Sequence, residues 1–84
     1  MAPLPISPRQ EPVSVTAYFT KDGRCLPRAL VYEGENLVID DILEERRERE
    51  RWIWIAHTIG GLTFELTFDV ATLRWTAGLS QAMV

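Results

Sequence analysis

The feature that most constrains the fold is a pair of glycines between two segments rich in β-branched and aromatic residues. Residues 52–55 read Trp-Ile-Trp-Ile, and residues 62–68 read Leu-Thr-Phe-Glu-Leu-Thr-Phe, which is apolar at every second position. Gly60 and Gly61 lie between the two segments. Such an arrangement is typical of a β-hairpin. The chain is therefore expected to fold as a mainly β domain.

Short turns divide the rest of the chain into further strands. The apolar and polar alternation from Val13 to Phe19 predicts a half-buried strand. Turn-forming residues follow at 21–24, 33–36 and 69–72. We expect a small antiparallel five-stranded meander or barrel of the SH3-like or Sm-like kind, because closure removes exposed sheet edges.

Residues 40–51 are compatible with two structures. Their sequence is Asp-Asp-Ile-Leu-Glu-Glu-Arg-Arg-Glu-Arg-Glu-Arg, and Glu and Arg favour a helix. However, no apolar residue lies between Leu43 and Trp52, so a helix there would have nothing to bury. The alternatives are a long strand that runs into a charged hairpin and one short helix within 40–51.

The two ends of the chain differ from its middle. Four of the five prolines lie within the first 12 residues, and each favours an extended backbone. We therefore divide the chain into an extended proline-rich arm over 1–11, a single small β domain over 12–76 and a tail over 77–84, which lacks periodicity.

Composition excludes several classes of protein. Cys25 is the only cysteine, so no internal disulfide can form. No apolar run approaches the roughly 20 residues that span a bilayer. Nine Lys and Arg against twelve Asp and Glu give a net charge of −3, which disfavours bulk electrostatic binding to a polyphosphate. We expect a cytoplasmic protein that does not bind membranes.

No catalytic or metal-binding motif is recognisable. His57 is the only histidine, and catalysis would require a nucleophile, an orienting carboxylate or further metal ligands beside it. Four carboxylates lie within six positions: Asp40, Asp41, Glu44 and Glu45. Their spacing lacks the glycine turn of calcium loops, so they are interpreted as solvated surface. We expect a protein that is not an enzyme and has no cofactor.

The segment 52–58 is apolar on both faces, whereas 62–68 is apolar on only one. A barrel this small cannot cover both faces, and exposed aromatic patches mark interaction sites. We predict a partner interface made of Trp52, Trp54, Tyr18 and His57. Its occupant is a second copy or another protein; the alternative is that the arm or the tail folds over it.

Four arginines alternate with glutamates in the charged stretch: Arg46, Arg47, Arg49 and Arg51. Such alternation is typical of a solvated, self-paired hairpin tip or helix. In the alternative hypothesis the arginines contact phosphates while neighbouring aromatic side chains stack on bases. The chain is therefore interpreted as a protein-interaction module, with an accessory binder of single-stranded DNA or RNA as the alternative.

A series of short motifs also resembles a known group of domains. The series comprises Glu11-Pro12-Val13, Pro27, Tyr32-Glu33-Gly34, Leu37-Val38-Ile39, a following Trp, Gly61, Phe64-Glu65-Leu66, Asp69 and Trp75. Over about residues 11–76 the chain resembles short, uncharacterised bacterial domains of unknown function that are sometimes encoded beside translesion DNA-polymerase genes. The resemblance implies a bacterial, intracellular accessory role in DNA repair, and it assigns no functional residues.

Overall fold

The computed structural model describes residues 9–80, which form one curled antiparallel sheet. Its seven strands are β1 (Glu11–Pro12), β2 (Ser14–Phe19), β3 (Cys25–Tyr32), β4 (Glu35–Arg47), β5 (Arg51–Thr58), β6 (Thr63–Asp69) and β7 (Arg74–Ser80). Their order in the sheet is β1-β7-β6-β5-β4-β3-β2. The described part of the chain contains no helix. The expectation of a mainly β, antiparallel fold is confirmed.

The first extended segment joins the two ends of the sheet. β1 pairs with β7, whereas β2 pairs with β3. Between them, the backbone N–H of Val13 donates to the carbonyl oxygen of Trp75 at 3.2 Å. The sheet consequently curls into a half-barrel. The prediction of five strands is wrong, partly because this segment changes its pairing partner at Val13 and is thus divided into two strands.

The charged stretch is part of a long strand. β4 continues to Arg47 and pairs with β5 from Ile39↔Thr58 to Arg47↔Trp52. This pairing satisfies main-chain groups on the β5 side of β4 and places β4 beside the apolar strand β5. The hypothesis of a long strand leading into a charged hairpin is confirmed, and the alternative of a helix within 40–51 is wrong.

Two of the predicted turns contain residues with a left-handed backbone. Glu33 and Gly34, with φ of 51° and 82°, are the two residues between the paired Tyr32 and Glu35. Two positive φ values in a two-residue loop are the signature of a type I′ turn. Gly61, with φ of 94°, supplies the left-handed residue of the β5–β6 hairpin. The hairpin predicted from the Gly-Gly pair is confirmed.

The ends of the chain are only partly described. Residues 1–8 of the expected arm and residues 81–84 of the expected tail lie outside the described residues. Ala77–Ser80 were also expected in the tail, yet they form the second half of β7 and pair with β6 as far as Thr63↔Ser80. Apolar and polar residues alternate only weakly here, because the neighbouring residues Ala77 and Gly78 are both buried and place small residues on both faces. The sequence pattern therefore does not predict a strand at this position.

The core lies on the concave inner face of the half-barrel. Trp54, Phe64 and Leu66 are fully buried there, and Leu30 packs against them from β3. The Trp54 and Trp75 rings stack with centroids 5.4 Å apart, and Phe68 lies 4.9 Å from Trp75. Buried aromatic rings contribute much of the apolar area that stabilises a small domain.

Candidate binding surfaces on the curled sheet

The two tryptophans of the predicted interface lie in the core or pack against it. Trp54 is 0% exposed, so it has no surface with which to contact a partner. Trp52 is half-buried, lies 5.7 Å from the Phe68 ring and is covered by the Arg47 guanidinium, 4.3 Å from the centroid of its indole. The prediction that Trp54 lies at a partner interface is wrong, because this face of β5 is the inner face of the half-barrel.

The opposite, outer face of β5 carries Ile53, Ile55 and His57. Ile53 is only 9% exposed although it points away from the core. In the register it lies between Arg46 on β4 and Thr67 on β6, whose side chains line the same groove. Long arginine stems cover apolar surface while their charged ends stay in water. The chain's own neighbouring strands thus shield much of this second apolar face.

His57 has an orienting carboxylate. Its Nδ1 lies 2.8 Å from Oδ1 of Asp40, and because a carboxylate only accepts, Nδ1 donates in this contact. Among residues 9–80, the ring makes no other hydrogen bond, and no group of three or more His, Cys, Asp and Glu side chains is arranged to hold a metal ion. The structure therefore supplies an orienting carboxylate, one of the partners that catalysis by His57 would require, and among residues 9–80 no nucleophilic side chain is hydrogen-bonded to the ring.

The other predicted interface residue, Tyr18, lies far from the aromatic core residues in the sheet order. Among residues 9–80, β2 is the last strand on its side of the sheet; its backbone pairs with β3, and its start lies beside β7. Tyr18 and Phe19 are 61% and 59% exposed. A cavity of about 320 Å³ lies beside them and is lined by Thr16, Ala17, Tyr18 and Arg28. An exposed apolar strand edge is a place where another strand can pair.

The four predicted phosphate-contacting arginines do not share a face. Arg46 lies opposite Ile53 and therefore on the outer face, whereas Arg47 lies opposite Trp52 on the inner face. Arg47 also donates from Nη2 to the carbonyl oxygen of Gly23 at 3.3 Å. Arg49 lies in the β4–β5 turn.

The groove beside Ile53 on the outer face is lined by side chains of both charges. Its volume is about 580 Å³, and its charged lining consists of Arg46, Arg51, Arg74, Glu48, Glu65 and Asp69. Arg46 also contacts Glu44 at 3.7 Å, and Arg51 contacts Glu48 at 4.0 Å. Three acidic side chains among three arginines offer a phosphate chain no continuous positive surface. Binding to nucleic acid stays a prediction.

A second opening lies between β3 and β4. Their pairing runs from Tyr32↔Glu35 to Ala29↔Val38, and no further β3–β4 pair is formed within 9–80. Beyond Val38, β4 has two bulges, which insert Asp40 and Leu43 as extra residues relative to β5. Bulges bend and twist a strand. The two strands consequently diverge and leave a cleft.

The cleft between β3 and β4 has a volume of about 280 Å³. Its lining residues are Arg24, Leu26, Ile42, Leu43, Glu44, Glu45 and Trp54. At the end away from the β3–β4 pairs, Arg24 Nη2 lies 3.7 Å from Glu45 Oε1 and spans from the β2–β3 turn to β4. The opening is therefore a window in the wall of the half-barrel, with a strand on each side.

The indole nitrogen of Trp54 is an unusual polar atom of the core. Nε1 is buried and has no hydrogen-bond partner among the described residues. An unpaired buried donor costs about 1–3 kcal/mol. Nearby, burial raises the pKa of the Cys25 thiol, the Arg47 guanidinium opposes that shift and Glu45 adds to it. The thiol is therefore favoured over the thiolate.

Sequence reasoning missed the cleft between β3 and β4. The available signal was the spacing of Ile39 and Ile42, which are three positions apart where a regular half-buried strand would place apolar residues two apart. Such an irregularity indicates a bulge, but its effect on the gap to β3 depends on the tertiary structure.

Comparisons with protein-family models, with curated proteins and with solved structures found no match. The resemblance to a bacterial domain group therefore stays a prediction, as do the cytoplasmic location and the absence of a cofactor. No stretch of residues 9–80 forms a helix with the length and hydrophobicity needed to cross a bilayer.

Proposed function

We propose that this protein is a non-enzymatic interaction module that self-associates through the free edge of β2. The observation that carries the proposal is the exposure of two aromatic side chains, Tyr18 and Phe19, on the terminal strand of the sheet. We further propose that the half-barrel is a variant of the small SH3-like or Sm-like barrels. Its short antiparallel meander and the switch of pairing at Val13 support that assignment.

The chemistry of the β2 edge favours another strand as its occupant. The main-chain N–H and C=O groups on the free side of an edge strand are unpaired, so an extended segment satisfies them best. Soluble proteins usually protect such edges with charged residues, yet Ser14–Phe19 reads Ser-Val-Thr-Ala-Tyr-Phe and contains none. The register shift between Thr16 and Ala17 inserts Arg28 as the extra residue of β3, so the bulge bends β3 and leaves β2 regular.

A second copy of the chain fits this edge without any additional partner. Two β2 strands related by a two-fold axis run antiparallel and present the same donors and acceptors to each other, as an isologous interface requires. The cavity between Tyr18 and Arg28 would receive an aromatic side chain of the other copy. Stacking of a guanidinium on an aromatic ring would add to the main-chain pairing.

The test is the molar mass of the full chain in solution, measured by size-exclusion chromatography with light scattering over a range of concentrations. The wild-type protein should form a dimer. Tyr18→Lys places a charge on the edge and should give a monomer with an unchanged circular dichroism spectrum. Ile59→Lys, at an equally exposed apolar position in the β5–β6 turn (68% exposed), should remain a dimer. A wild-type monomer at every concentration would overturn the proposal, as would equal effects of the two substitutions.

A further inference from the structure

We propose that the groove beside Ile53 on the outer face of the sheet binds a short zwitterionic peptide, about three residues long, by its two charged ends. The volume of this groove, about 580 Å³, lies within the range of about 300–1,000 Å³ that ligand pockets span. Within residues 9–80, none of its lining residues belongs to β2. The site is therefore separate from the β2 edge, and the two proposals succeed or fail independently.

Arg74 is the cation of this groove that has no acidic partner. The other two arginines of the lining each contact a carboxylate, at 3.7 and 4.0 Å. Asp69 lies opposite Arg74 in the β6–β7 register, but its Oδ1 accepts from the backbone N–H groups of Ala71 and Thr72. Among residues 9–80, Arg74 forms no ion pair. Its guanidinium is therefore available to a carboxylate, which it can bind through two hydrogen bonds.

Glu65 is the matching anion at the other end of the groove. Its Oε1 accepts from Nε2 of Gln10 at 3.0 Å, and within the described part of the chain it forms no ion pair. A carboxylate accepts several hydrogen bonds, so Glu65 can still receive an ammonium group. Asp69 is a poorer site for that group, because Arg51 and Arg74 lie opposite it on the two neighbouring strands.

The spacing of these two charges sets the length of the ligand. Glu65 lies four residues before Asp69 on β6, which corresponds to about 13 Å along the strand, and Arg74 lies opposite Asp69. A single amino acid is too short for that span, whereas three extended residues cover about 10–11 Å. The long side chains of Glu65 and Arg74 close the remainder. Thr67 and Thr76 are paired between the two ends, and their hydroxyl groups can hydrogen-bond the peptide groups of the ligand.

Triglycine is the appropriate probe, because it carries both end charges and no side chain. It is titrated into the ¹⁵N-labelled full-length protein, and the backbone amides of Thr67 and Thr76 are followed by NMR. We expect saturable shifts of both signals. N-acetyltriglycine lacks the ammonium and triglycine amide lacks the carboxylate, so each should bind about three- to tenfold more weakly, the value of one charged contact at a partly exposed site. Glycine reaches only one end of the groove and should bind at least about tenfold more weakly.

Substitutions assign each end of the peptide to one side chain. Glu65→Gln should weaken triglycine binding by about three- to tenfold and leave N-acetyltriglycine binding unchanged, because that ligand has no ammonium to lose. Arg74→Gln should weaken triglycine binding to a similar extent and leave triglycine amide binding unchanged. Glu35→Gln and Arg49→Gln make the same changes in charge outside the lining and should bind like wild type. Circular dichroism spectra like that of the wild type show that each variant is folded.

Three results would overturn the proposal. No saturable shift with triglycine would mean that the groove holds water only. Equal binding of the acetylated or the amidated peptide would mean that the end charge it lacks takes no part. Equal effects of the groove substitutions and their controls would mean that net charge, and not the position of the charge, determines binding.

Discussion

Oδ1 of Asp40 lies 2.8 Å from Nδ1 of His57, although the strand register pairs His57 with Asp41. The contact exists because a bulge between Ile39 and Asp41 inserts Asp40 into β4 and turns its side chain towards β5. Both side chains are partly exposed, at 37% and 43%. The pair therefore orients the imidazole more than it stabilises the fold.

The first prediction concerns the tautomer of His57. Because the Asp40 carboxylate accepts from Nδ1, the neutral ring should carry its proton on Nδ1, and Asp40→Ala should shift the proton towards Nε2. The ¹⁵N chemical shifts of the ring at alkaline pH report this distribution. The substitution should change the free energy of unfolding by less than about 1 kcal/mol. A wild-type ring protonated mainly at Nε2 would contradict the prediction.

The second prediction concerns the β3–β4 turn. Glu33 has a φ of 51°, and a left-handed backbone costs about 1–2 kcal/mol for most L-residues but less for asparagine. Glu33→Asn creates the Asn-Gly pair that type I′ turns favour and should raise the free energy of unfolding by up to about 1 kcal/mol. Urea denaturation measures the change.

Two controls distinguish turn conformation from charge. Glu35→Asn removes the same charge outside the left-handed positions and should give no comparable gain. Gly34→Ala should destabilise by about 1 kcal/mol through its φ of 82° alone, since a Cβ there meets no atom within 4 Å. Equal effects of Glu33→Asn and Glu35→Asn would argue against a conformational cause.

The third prediction concerns the core. Phe64 is fully buried and its ring contacts the ring of Tyr32 at a centroid distance of 4.8 Å. Phe64→Ala should lower the free energy of unfolding by about 3–5 kcal/mol, because it removes buried area and leaves a cavity. Phe19→Ala, at an exposed position, should change it by about 0.5 kcal/mol or less when measured on the monomer. Similar losses for both variants would show that the inner face is not the core.

The fourth prediction concerns alkaline pH. Burial raises the pKa of the Cys25 thiol above its ordinary value of 9.0, so the folded chain retains a proton that the unfolded chain has lost. The resulting stabilisation is fully present below pH 9.0 and should decline as the pH rises through the raised pKa. Urea denaturation between neutral pH and pH 9.0 and beyond measures this decline.

Cys25→Ala is the matched control for that measurement. It should show a smaller fall in stability just above pH 9.0, because its chain has no thiol to titrate. A fall at higher pH should persist in both proteins, since partial burial and the neighbouring Glu11 and Glu33 raise the pKa of Tyr32 above 10.0. Identical pH profiles for the two proteins near pH 9.0 would contradict the assignment to Cys25.

The sequence by itself determined the local architecture of this protein. The Gly60-Gly61 hairpin, the Glu33-Gly34 turn and the alternation of β6 depend on residues that are adjacent in the chain, so their backbone preferences act before any long-range contact forms. Local preferences alone do not distinguish a helix from a strand over residues 40–51. Pairing with β5 selects the strand.

The tertiary structure decided everything that depends on which strands meet. Both faces of β5 are apolar, and only the curl of the sheet assigned Trp54 to the core and Ile53 to the outer face. The switch of pairing at Val13 and the cleft between β3 and β4 likewise arise from contacts between residues far apart in the chain. Short-range patterns specify the period of a strand, whereas burial and partner choice are properties of the assembled sheet.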